Sequence, residues 1–467
     1  MHSDILKLPP SGTYLGRVWD PAFSGPSVVT IRNRRVIDLT SKDAPLSCDI
    51  CEMEDPVGFI RSTVGLDLGD IDEISANPVE LDKLHFLAPC DLQAVKACGV
   101  TFAGSMVERV IEEKAAGDPL KAEAIRQRVG AKIGESLMNL VPGSKKAENV
   151  KSSLIDEGLW SQYLEVGIGP DAEVFSKCQV LASVGNNANV GLHPSSKWNN
   201  PEPEIVLAVS SKGKIVGCTL GNDVNLRDVE GRSALLLSKA KDNNASSSIG
   251  PLIRLFDETF DLTCVRNVEL KLRVEGEDGF ILNGSSSMQE ISRDPTDLVK
   301  QTIGDHHQYP DGFMLYLGTL FAPTKDRDEV GEGFTHKIND KVTISCDDIG
   351  VLTNQVKYST ECQYITGGNP NIVMVFPKNS FSYSSGNVTT FSRKDLETPV
   401  TRHFCGKCGT AIGTESPSRP NSMIVKVGTL DDPSTFEAKA AIFTCDLQPY
   451  HYLPSGLPSF EKRPPKK

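Results

Sequence analysis

Short segments that alternate between hydrophobic and polar positions recur along most of this chain. They occur at Tyr14–Trp19, Ser27–Ile31 and Arg35–Leu39, and again at Val268–Val274. A period of two is typical of β-strands that bury one face. A helix-like stretch, Ser233–Ala240, interrupts the strands. We therefore expect an α+β, β-dominated fold.

One apolar run lies next to an unusual group of acidic residues. Ile205–Val209 follows the segment Asn200–Glu204, and a turn and a second apolar run come after it. This pattern predicts a hairpin of two strands. Residues two apart on a strand point to the same face, so Glu202 and Glu204 are expected to lie side by side. The hairpin would return Asp223 to the same edge.

Carboxylates that meet at one edge repel one another unless a cation lies between them. Mg²⁺ prefers oxygen ligands and is held by a few carboxylates together with waters. We therefore predict that Glu202, Glu204 and Asp223 bind Mg²⁺ or Mn²⁺. Lys241 follows the helix-like stretch and is expected to place an ammonium group beside the metal.

Length and charge limit the classes of function. The 467 residues are enough for two or three domains, and 39% hydrophobic with 24% charged residues is typical of a globular protein. The net charge of −12 argues against nucleic-acid partners and against an anionic membrane surface. No basic and apolar leader and no apolar run of about 20 residues is present. We expect a cytoplasmic homo-oligomer that acts on a small molecule.

The order of the motifs resembles the fumarylacetoacetate hydrolase superfamily over roughly residues 10–357. The resemblance is carried by the Pro-Glu-Pro-Glu segment at 201–204, Gly-Asn-Asp-Val-Asn-Leu-Arg-Asp at 221–228, and the residues around Lys241 and 248–251. Lys-Asp-Asn-Asn-Ala-Ser at 241–246 is most similar to the branch of 2-keto-3-deoxy-sugar-acid dehydratases. The resemblance implies a mixed β-roll. It also implies an N-terminal β-rich lid domain over 1–95 and a catalytic domain over 96–357.

One departure from the superfamily favours a dehydratase. Hydrolases of the superfamily carry a Gly-x-Asn-Tyr-x-x-His pattern, and aligning it on Gly99 puts Ser105 at the histidine position. A serine hydroxyl is a poor general base near neutral pH, whereas imidazole titrates there. A hydrolase would be impaired by this change, but a dehydratase adds no water. Glu108 is a candidate acid/base, and a position on an exposed helix face is its alternative.

The three carboxylates and Lys241 suggest a mechanism for the site. The metal would act as a Lewis acid on a 2-oxo acid, and Lys241, with its pKa lowered by the adjacent cation, would act as base. A Schiff base at Lys241 is an alternative. Ser105, Gly318 and Thr319 are the predicted substrate-binding residues. The expected activity is a metal-dependent hydro-lyase acting on a 2-keto-3-deoxy sugar acid.

Two other activities stay open at this point. The first is a C–C bond hydrolase or decarboxylase of acylpyruvates or fumarylacetoacetate-like diketo acids. The second is a zinc-binding, carbon–sulfur lyase-like protein that acts through the C-terminal region.

The character of the sequence changes near residue 358. Arg-x-Phe-Cys-x-x-Cys-Gly, with Cys405 and Cys408, and a later Gly-Thr-Leu-Asp-Asp segment resemble the second half of a glutathione-dependent formaldehyde-activating (CENP-V-like) zinc domain. Cys362 resembles the end of that family's earlier cysteine run. A structural zinc site takes four ligands. Cys405 and Cys408 supply two ligands, and Cys362 supplies one to a second site. We therefore predict that residues 358–467 form a β-rich, incomplete module with poor or no zinc occupancy.

Overall fold

A computed structural model describes most of the chain. Contacts divide it into two compact units, Met1–Ser359 and Thr360–Lys467. This division lies close to the predicted change of character at residue 358. The described residues are 5–116, 118, 120–122, 125, 140–319, 321, 323, 325–329, 333–359, 372–384, 386–393, 398–407, 410–432, 434, 436–444, 447 and 453–462.

Strands dominate the first unit, as the alternating pattern predicts. They form an eleven-stranded sheet and a five-stranded sheet. The strands are β1 Tyr14–Asp20, β2 Gly25–Arg32, β3 Arg35–Asp38, β4 Leu66–Asp70, β5 His85–Phe86, β6 Ala94–Gly99, β7 Glu173–Cys178, β8 Asn189–Leu192, β9 Pro203–Val209, β10 Ile215–Asp223, β11 Ser247–Leu255, β12 Glu269–Glu275, β13 Ile281–Ser287, β14 Phe313–Tyr316, β15 Lys341–Cys346 and β16 Gly350–Tyr358.

The larger sheet has the order β4-β3-β2-β1-β11-β10-β9-β14-β6-β7, and β5 pairs with β1. All seven residues of β9 are buried, because both faces of this strand are covered. β9 therefore lies in the middle of the sheet, antiparallel to β10 and β14. The predicted hairpin is confirmed, since Glu204 pairs with Gly221 in its register.

The smaller sheet has the order β13-β12-β15-β16-β8. Its strand β12 alternates strictly, burying Leu270, Leu272 and Val274 and exposing the charged residues between them. These buried side chains belong to the same hydrophobic cluster as Ile205 and Leu207 of the larger sheet. The main core of this unit therefore lies between its two sheets.

The strands before residue 95 are part of the larger sheet, because β1 pairs with β11. They belong to the same compact unit as the strands that follow. A separate N-terminal lid domain ending at residue 95 stays a prediction.

Short helices connect the strands of this unit. The helix-like stretch near residue 237 is a 3₁₀ turn, Ala234–Leu236, followed by an α-helix. The α-helices are α1 Ser47–Glu52, α2 Pro56–Ser62, α3 Ile71–Ala76, α4 Ala103–Ala115, α5 Lys145–Asp156, α6 Gln162–Ile168, α7 Arg227–Glu230, α8 Leu237–Lys241, α9 Leu262–Val265 and α10 Pro295–Thr302, with a further 3₁₀ turn at Met288–Glu290. Among the described residues, no helix is both long enough and apolar enough to span a bilayer.

The second unit is a five-stranded sheet of order β17-β21-β20-β19-β18 and a two-stranded parallel pair, β22 and β23. Cys405 ends β19 and is half-buried. Cys362 and Cys408 lie outside the described residues. The elements are β17 Val373–Pro377, β18 Val388–Ser392, β19 Thr401–Cys405, β20 Ala411–Glu415, β21 Ser422–Lys426, β22 Ala441–Ile442 and β23 Ser459–Phe460, with 3₁₀ turns at Lys378–Ser380 and Val427–Thr429.

Candidate active site

A partly open cavity lies at one edge of the larger sheet. β6 and β10 end there, and the neighbouring β7 and β9 begin there. Side chains from the ends of several strands therefore converge on a single space. The cavity brings together the predicted residues Glu202, Glu204, Asp223 and Lys241.

The three predicted carboxylates form one buried cluster. Each offers an oxygen, and these oxygens all lie within 4.8 Å of one another. The hairpin register explains this, because the Asp223 amide donates to the backbone carbonyl of Glu202 at 3.0 Å. All three side chains are buried, so water cannot separate their charges. The arrangement suits a hard divalent cation, which binds carboxylate oxygens.

Two buried ammonium groups contact the cluster. Lys241 Nζ donates to Glu202 Oε2 and, at 3.1 Å, to Asp223 Oδ2. Lys177 Nζ lies 2.8 Å from the other oxygen of Asp223, Oδ1. Sequence reasoning predicted Lys241 but missed Lys177, which β7 turns into the core. The run Glu173–Cys178 mixes charged, polar and apolar residues, so its alternation does not single out Lys177.

A guanidinium group completes the cationic side of the site. Arg109 of α4 places its two terminal nitrogens 2.8 Å from Glu202 Oε1 and 2.8 Å from Glu230 Oε2. Both residues line the cavity, and sequence reasoning missed both. Glu230 ends α7, so Arg109 joins a predicted metal ligand to a carboxylate from a different element.

Glu108 does not take the predicted place in the cavity. Its Oε1 accepts from Arg227 at 2.7 Å, and the Arg227 guanidinium lies 4.2 Å from the centre of the Trp198 ring. Successive residues on a helix point about 100° apart. The helix therefore turns Arg109 toward the cavity and Glu108 toward Arg227, so Arg109 is the better candidate from α4.

The summed charge of the side chains at the cavity can be balanced by one divalent cation. Five carboxyl groups and three cations come together at the cavity. If all were ionised, they would carry an excess of two negative charges, which one Mg²⁺ would neutralise. The donor set therefore fits the predicted metal. The acids are Glu173, Glu202, Glu204, Asp223 and Glu230, and the cations are Lys177, Lys241 and Arg109.

The pKa values reflect these contacts. Burial, together with the charges of Asp223 and Glu202, raises the pKa of Glu204 well above its usual range. Burial opposes ionisation of Asp223, but Lys177 and Lys241 outweigh it and lower the Asp223 pKa. Burial lowers the pKa of Lys241, yet Asp223 and Glu202 outweigh it and raise that pKa overall. The predicted lowering of the Lys241 pKa is therefore opposite to the effect of the protein's own carboxylates, which keep this lysine charged.

Glu173 is a fifth acid that sequence reasoning missed. It begins β7 beside Gly99, and a Cβ added to Gly99 would lie 1.8 Å from Glu173 Oε2. Burial and then the charge of Glu230 raise the pKa of Glu173 from 4.5 to about 7. A carboxyl group with this pKa exists in both protonation states near neutral pH, which suits proton transfer.

The raised pKa predicts a pH-dependent stability effect of Glu173→Gln. Between pH 4.5 and about pH 7 the folded state holds a proton at Glu173 that the unfolded state releases. This group therefore makes the free energy of unfolding fall as pH rises through that window. Glu173→Gln removes this pH dependence of the free energy of unfolding. The stability of the variant, measured relative to wild type, should therefore be higher at pH 8 than at pH 5. Urea unfolding at both pH values measures the difference. Glu269→Gln, on the exposed face of β12, is the control, and an equal effect of Glu173→Gln at both pH values would contradict the prediction.

The predicted substrate-binding residues lie at the cavity wall. Ser105 Oγ donates to the Phe102 carbonyl at 2.9 Å, near the start of α4. The Gly318 amide donates to Glu204 Oε2 at 2.7 Å, and Thr319 Oγ1 donates to the Pro203 carbonyl at 3.0 Å. Gly318 and Thr319 thus hold the strand that carries the acidic cluster. Binding of substrate by these three residues stays a prediction.

Two known families match the chain, and their matches overlap at residues 339–357. Residues 179–357 match the family described as fumarylacetoacetate (FAA) hydrolase C-terminal. Residues 339–446 match the family described as glutathione-dependent formaldehyde-activating enzyme. The chain is also 30% identical over 213 residues to a probable 2-keto-3-deoxyxylonate dehydratase of Haloferax volcanii, covering 46% of this chain and 68% of the relative. The chain belongs to the fumarylacetoacetate hydrolase family.

A second curated protein and two solved structures are also similar to this chain. A 2-dehydro-3-deoxy-D-arabinonate dehydratase of Saccharolobus solfataricus is 29% identical over 185 residues, which are 40% of this chain and 58% of the relative. Solved structures of 2-keto-3-deoxy-D-arabinonate dehydratase, as an apo form and as a complex with magnesium and 2,5-dioxopentanoate, superpose with TM-scores of 0.53 and 0.52. Each is 21% identical, and each match covers 74% of this chain and 100% of that chain. The predicted β-dominated fold of the fumarylacetoacetate hydrolase type is confirmed.

Proposed function

We propose that this protein is a magnesium-dependent dehydratase that acts on a 2-keto-3-deoxy sugar acid. The observation that carries the proposal is the buried cluster of Glu202, Glu204 and Asp223, with oxygens within 4.8 Å of one another and Lys241 in contact with two of them. The names of the relatives support the class of substrate, because two of them are dehydratases of such acids. One similar structure contains magnesium.

Glu202, Glu204 and Asp223 would hold the metal. When bound there, Mg²⁺ supplies a Lewis acid that lowers the pKa of the protons next to the 2-oxo group. Lys177 and Lys241 hold Asp223 ionised and fix the direction of its oxygens. The Gly318 amide fixes the direction of Glu204 Oε2.

Glu173 lines the cavity and is our candidate for proton transfer. Dehydration breaks the C3–H bond and the C4–O bond, and the electron pair of the C3–H bond forms the new double bond. We assign the base role to Glu173, whose pKa of about 7 leaves part of it ionised at neutral pH. The proton taken from C3 then leaves Glu173 with the C4 hydroxyl as water. Lys241 stays charged and donates hydrogen bonds, so neither the base nor the Schiff-base role proposed from sequence is needed.

Metal removal tests this function. Turnover of 2-keto-3-deoxy-pentonates by the full chain should stop after treatment with EDTA and return when Mg²⁺ is added in excess. Full turnover after chelation, with no metal left in the protein, would contradict the proposal. An acylpyruvate assayed in parallel distinguishes a C–C bond hydrolase from a dehydratase. Turnover of the acylpyruvate without dehydration of the pentonates would favour the hydrolase, although Ser105 stands where a hydrolase carries its histidine.

Further properties are part of the same proposal. Mn²⁺ is expected to replace Mg²⁺, because both prefer oxygen ligands. The protein is expected to be a cytoplasmic homo-oligomer. The match to the formaldehyde-activating family supports testing residues 339–446 for zinc. We expect purified protein to contain well below one zinc per chain, because Cys405 and Cys408 supply only two of the four ligands that such a site needs.

A further inference from the structure

We propose that the site selects Mg²⁺ over Ca²⁺ and that Lys177 sets this preference. Lys177 holds one oxygen of Asp223, which leaves that carboxylate a single oxygen for a metal. The inference rests on the proposed function in taking Glu202, Glu204 and Asp223 as the metal ligands. It adds which divalent cation these ligands prefer, and why.

Lys177 approaches Asp223 from outside the lining of the cavity. Its Nζ forms an ion pair with Asp223 Oδ1 at 2.8 Å, whereas Lys241, which lines the cavity, contacts Oδ2 at 3.1 Å. Lys177 is fully buried, and its Nζ also donates to the Lys241 carbonyl and, at 3.2 Å, to Ser246 Oγ. An ammonium group has three N–H donors, and these three oxygens can accept all of them. Lys177 is therefore fixed at Oδ1, and Oδ2 is the oxygen that Asp223 turns toward Lys241.

The other two carboxylates also have one oxygen held by a group of the protein. The Gly318 amide donates to Glu204 Oε2 at 2.7 Å. Asn225 Nδ2 donates to Glu202 Oε1 at 3.1 Å, and Lys241 contacts the opposite oxygen, Oε2. Each of the three carboxylates is therefore arranged to offer a metal one oxygen and not two.

This donor set fits the coordination of Mg²⁺ better than that of Ca²⁺. Mg²⁺ needs a near-ideal octahedron with ligands at about 2.0–2.1 Å, and it is held by few carboxylates together with waters. Ca²⁺ takes roughly six to eight oxygens at about 2.3–2.6 Å, and carboxylates that bind through both oxygens help to reach that number. Releasing Asp223 Oδ1 would therefore favour Ca²⁺ more than Mg²⁺.

Calorimetric titration of the metal-free full chain with MgCl₂ and with CaCl₂, in the absence of substrate, tests the preference. Wild type should bind Ca²⁺ at least about tenfold more weakly than Mg²⁺. Lys177→Met removes the ammonium group and releases Oδ1. The loss of a positive charge favours both cations, so the diagnostic quantity is the ratio of the Ca²⁺ and Mg²⁺ dissociation constants. This ratio should fall by about tenfold in Lys177→Met.

Two control variants separate the held oxygen from the charge. Lys241→Met removes the same charge from the same carboxylate but at Oδ2, so its ratio should equal that of wild type. Lys96→Met makes the same substitution on β6, where Lys96 Nζ donates to Ser176 Oγ at 3.1 Å outside the cavity lining, and it should leave both constants unchanged. An equal fall of the ratio in Lys241→Met and Lys177→Met would overturn the inference. Thermal unfolding of each variant checks the fold.

Infrared spectra of wild type keep the inference testable if Lys177→Met does not fold. A carboxylate bound to a metal through one oxygen has a larger separation between its antisymmetric and symmetric stretching bands than one bound through both. The difference spectrum between the Mg²⁺-loaded and the metal-free chain should show the larger separation. Bands with the smaller separation would overturn the inference.

The outcomes separate this inference from the proposed function. Equal affinity of wild type for Mg²⁺ and Ca²⁺ would overturn the inference, as would an unchanged ratio in Lys177→Met, while EDTA-sensitive dehydration would still support the function. A preference for Mg²⁺ without turnover of 2-keto-3-deoxy-pentonates would reject the function alone. Failure of both ions to bind would overturn the inference together with the metal assignment.

Discussion

Asp223→Asn should abolish Mg²⁺ binding and dehydration together. The change removes a carboxylate from the cluster while keeping the size of the side chain. It also leaves Lys177 and Lys241 without the charge that they both contact. We expect the rate and the affinity for Mg²⁺ to fall by at least about 100-fold, since outer partners of metal sites alone cost 10–100-fold. The free energy of unfolding should fall by about 3–5 kcal/mol, because buried ion pairs lose one partner. Calorimetric titration with Mg²⁺, a dehydration assay and urea unfolding measure the three effects.

Asp228→Asn provides the matched control. Asp228 lies five residues further along the chain and accepts hydrogen bonds from Ser196 Oγ at 2.7 Å and the Lys197 amide at 2.9 Å. It is outside the lining of the cavity. This variant should bind Mg²⁺ like wild type. The metal assignment would be rejected if Asp223→Asn folded and bound Mg²⁺ as tightly as the control.

Lys241→Met should separate metal binding from activity. The ammonium group contacts Glu202 and Asp223, so its removal leaves two buried carboxylates with less positive charge around them. We expect a loss of about 3–5 kcal/mol in the metal-free protein. Added Mg²⁺ should restore much of this stability, because a cation that binds the folded state stabilises it. Activity should remain at least about 100-fold below that of wild type, because a positioned charged group of the site is missing.

The control for this change lies on the same helix. Lys239 is exposed two residues before Lys241 in α8, and Lys239→Met should leave stability, metal affinity and rate unchanged. The comparison measures the dehydration rate of wild type and both variants, and their melting temperatures with and without Mg²⁺. Wild-type turnover by Lys241→Met would remove this lysine from the mechanism. Equal destabilisation by both variants would show that the effect comes from the helix and not from the site.

The metal cluster could be predicted because it is local in sequence. Glu204 lies on β9, Glu202 directly precedes that strand, and a short turn brings Asp223 back beside them. Strand periodicity and hairpin geometry are sufficient for that inference. Lys241 is only 18 residues further along the chain, and it was predicted with the cluster.

The surrounding residues could not be predicted in the same way. Arg109 and Lys177 reach the cluster from other segments, and only the tertiary fold decides which face of their element points inward. The choice of Glu108 over Arg109 shows the difficulty, since both are charged neighbours on α4. Glu108 contacts Arg227, whereas Arg109 contacts Glu202. Which of the two faces the cavity depends on the rotation of the helix about its axis, which a run of mixed charges does not reveal.

The position of β9 has a consequence for protein engineering. This strand is buried along its whole length and is paired on both sides, so Glu204 cannot be moved without disturbing the centre of the sheet. Arg109, Glu173 and Glu230 instead come from α4, β7 and α7, at the periphery of that framework. Directed evolution toward new sugar acids should therefore diversify Arg109 and Glu230, and leave the central hairpin and the proposed base Glu173 constant.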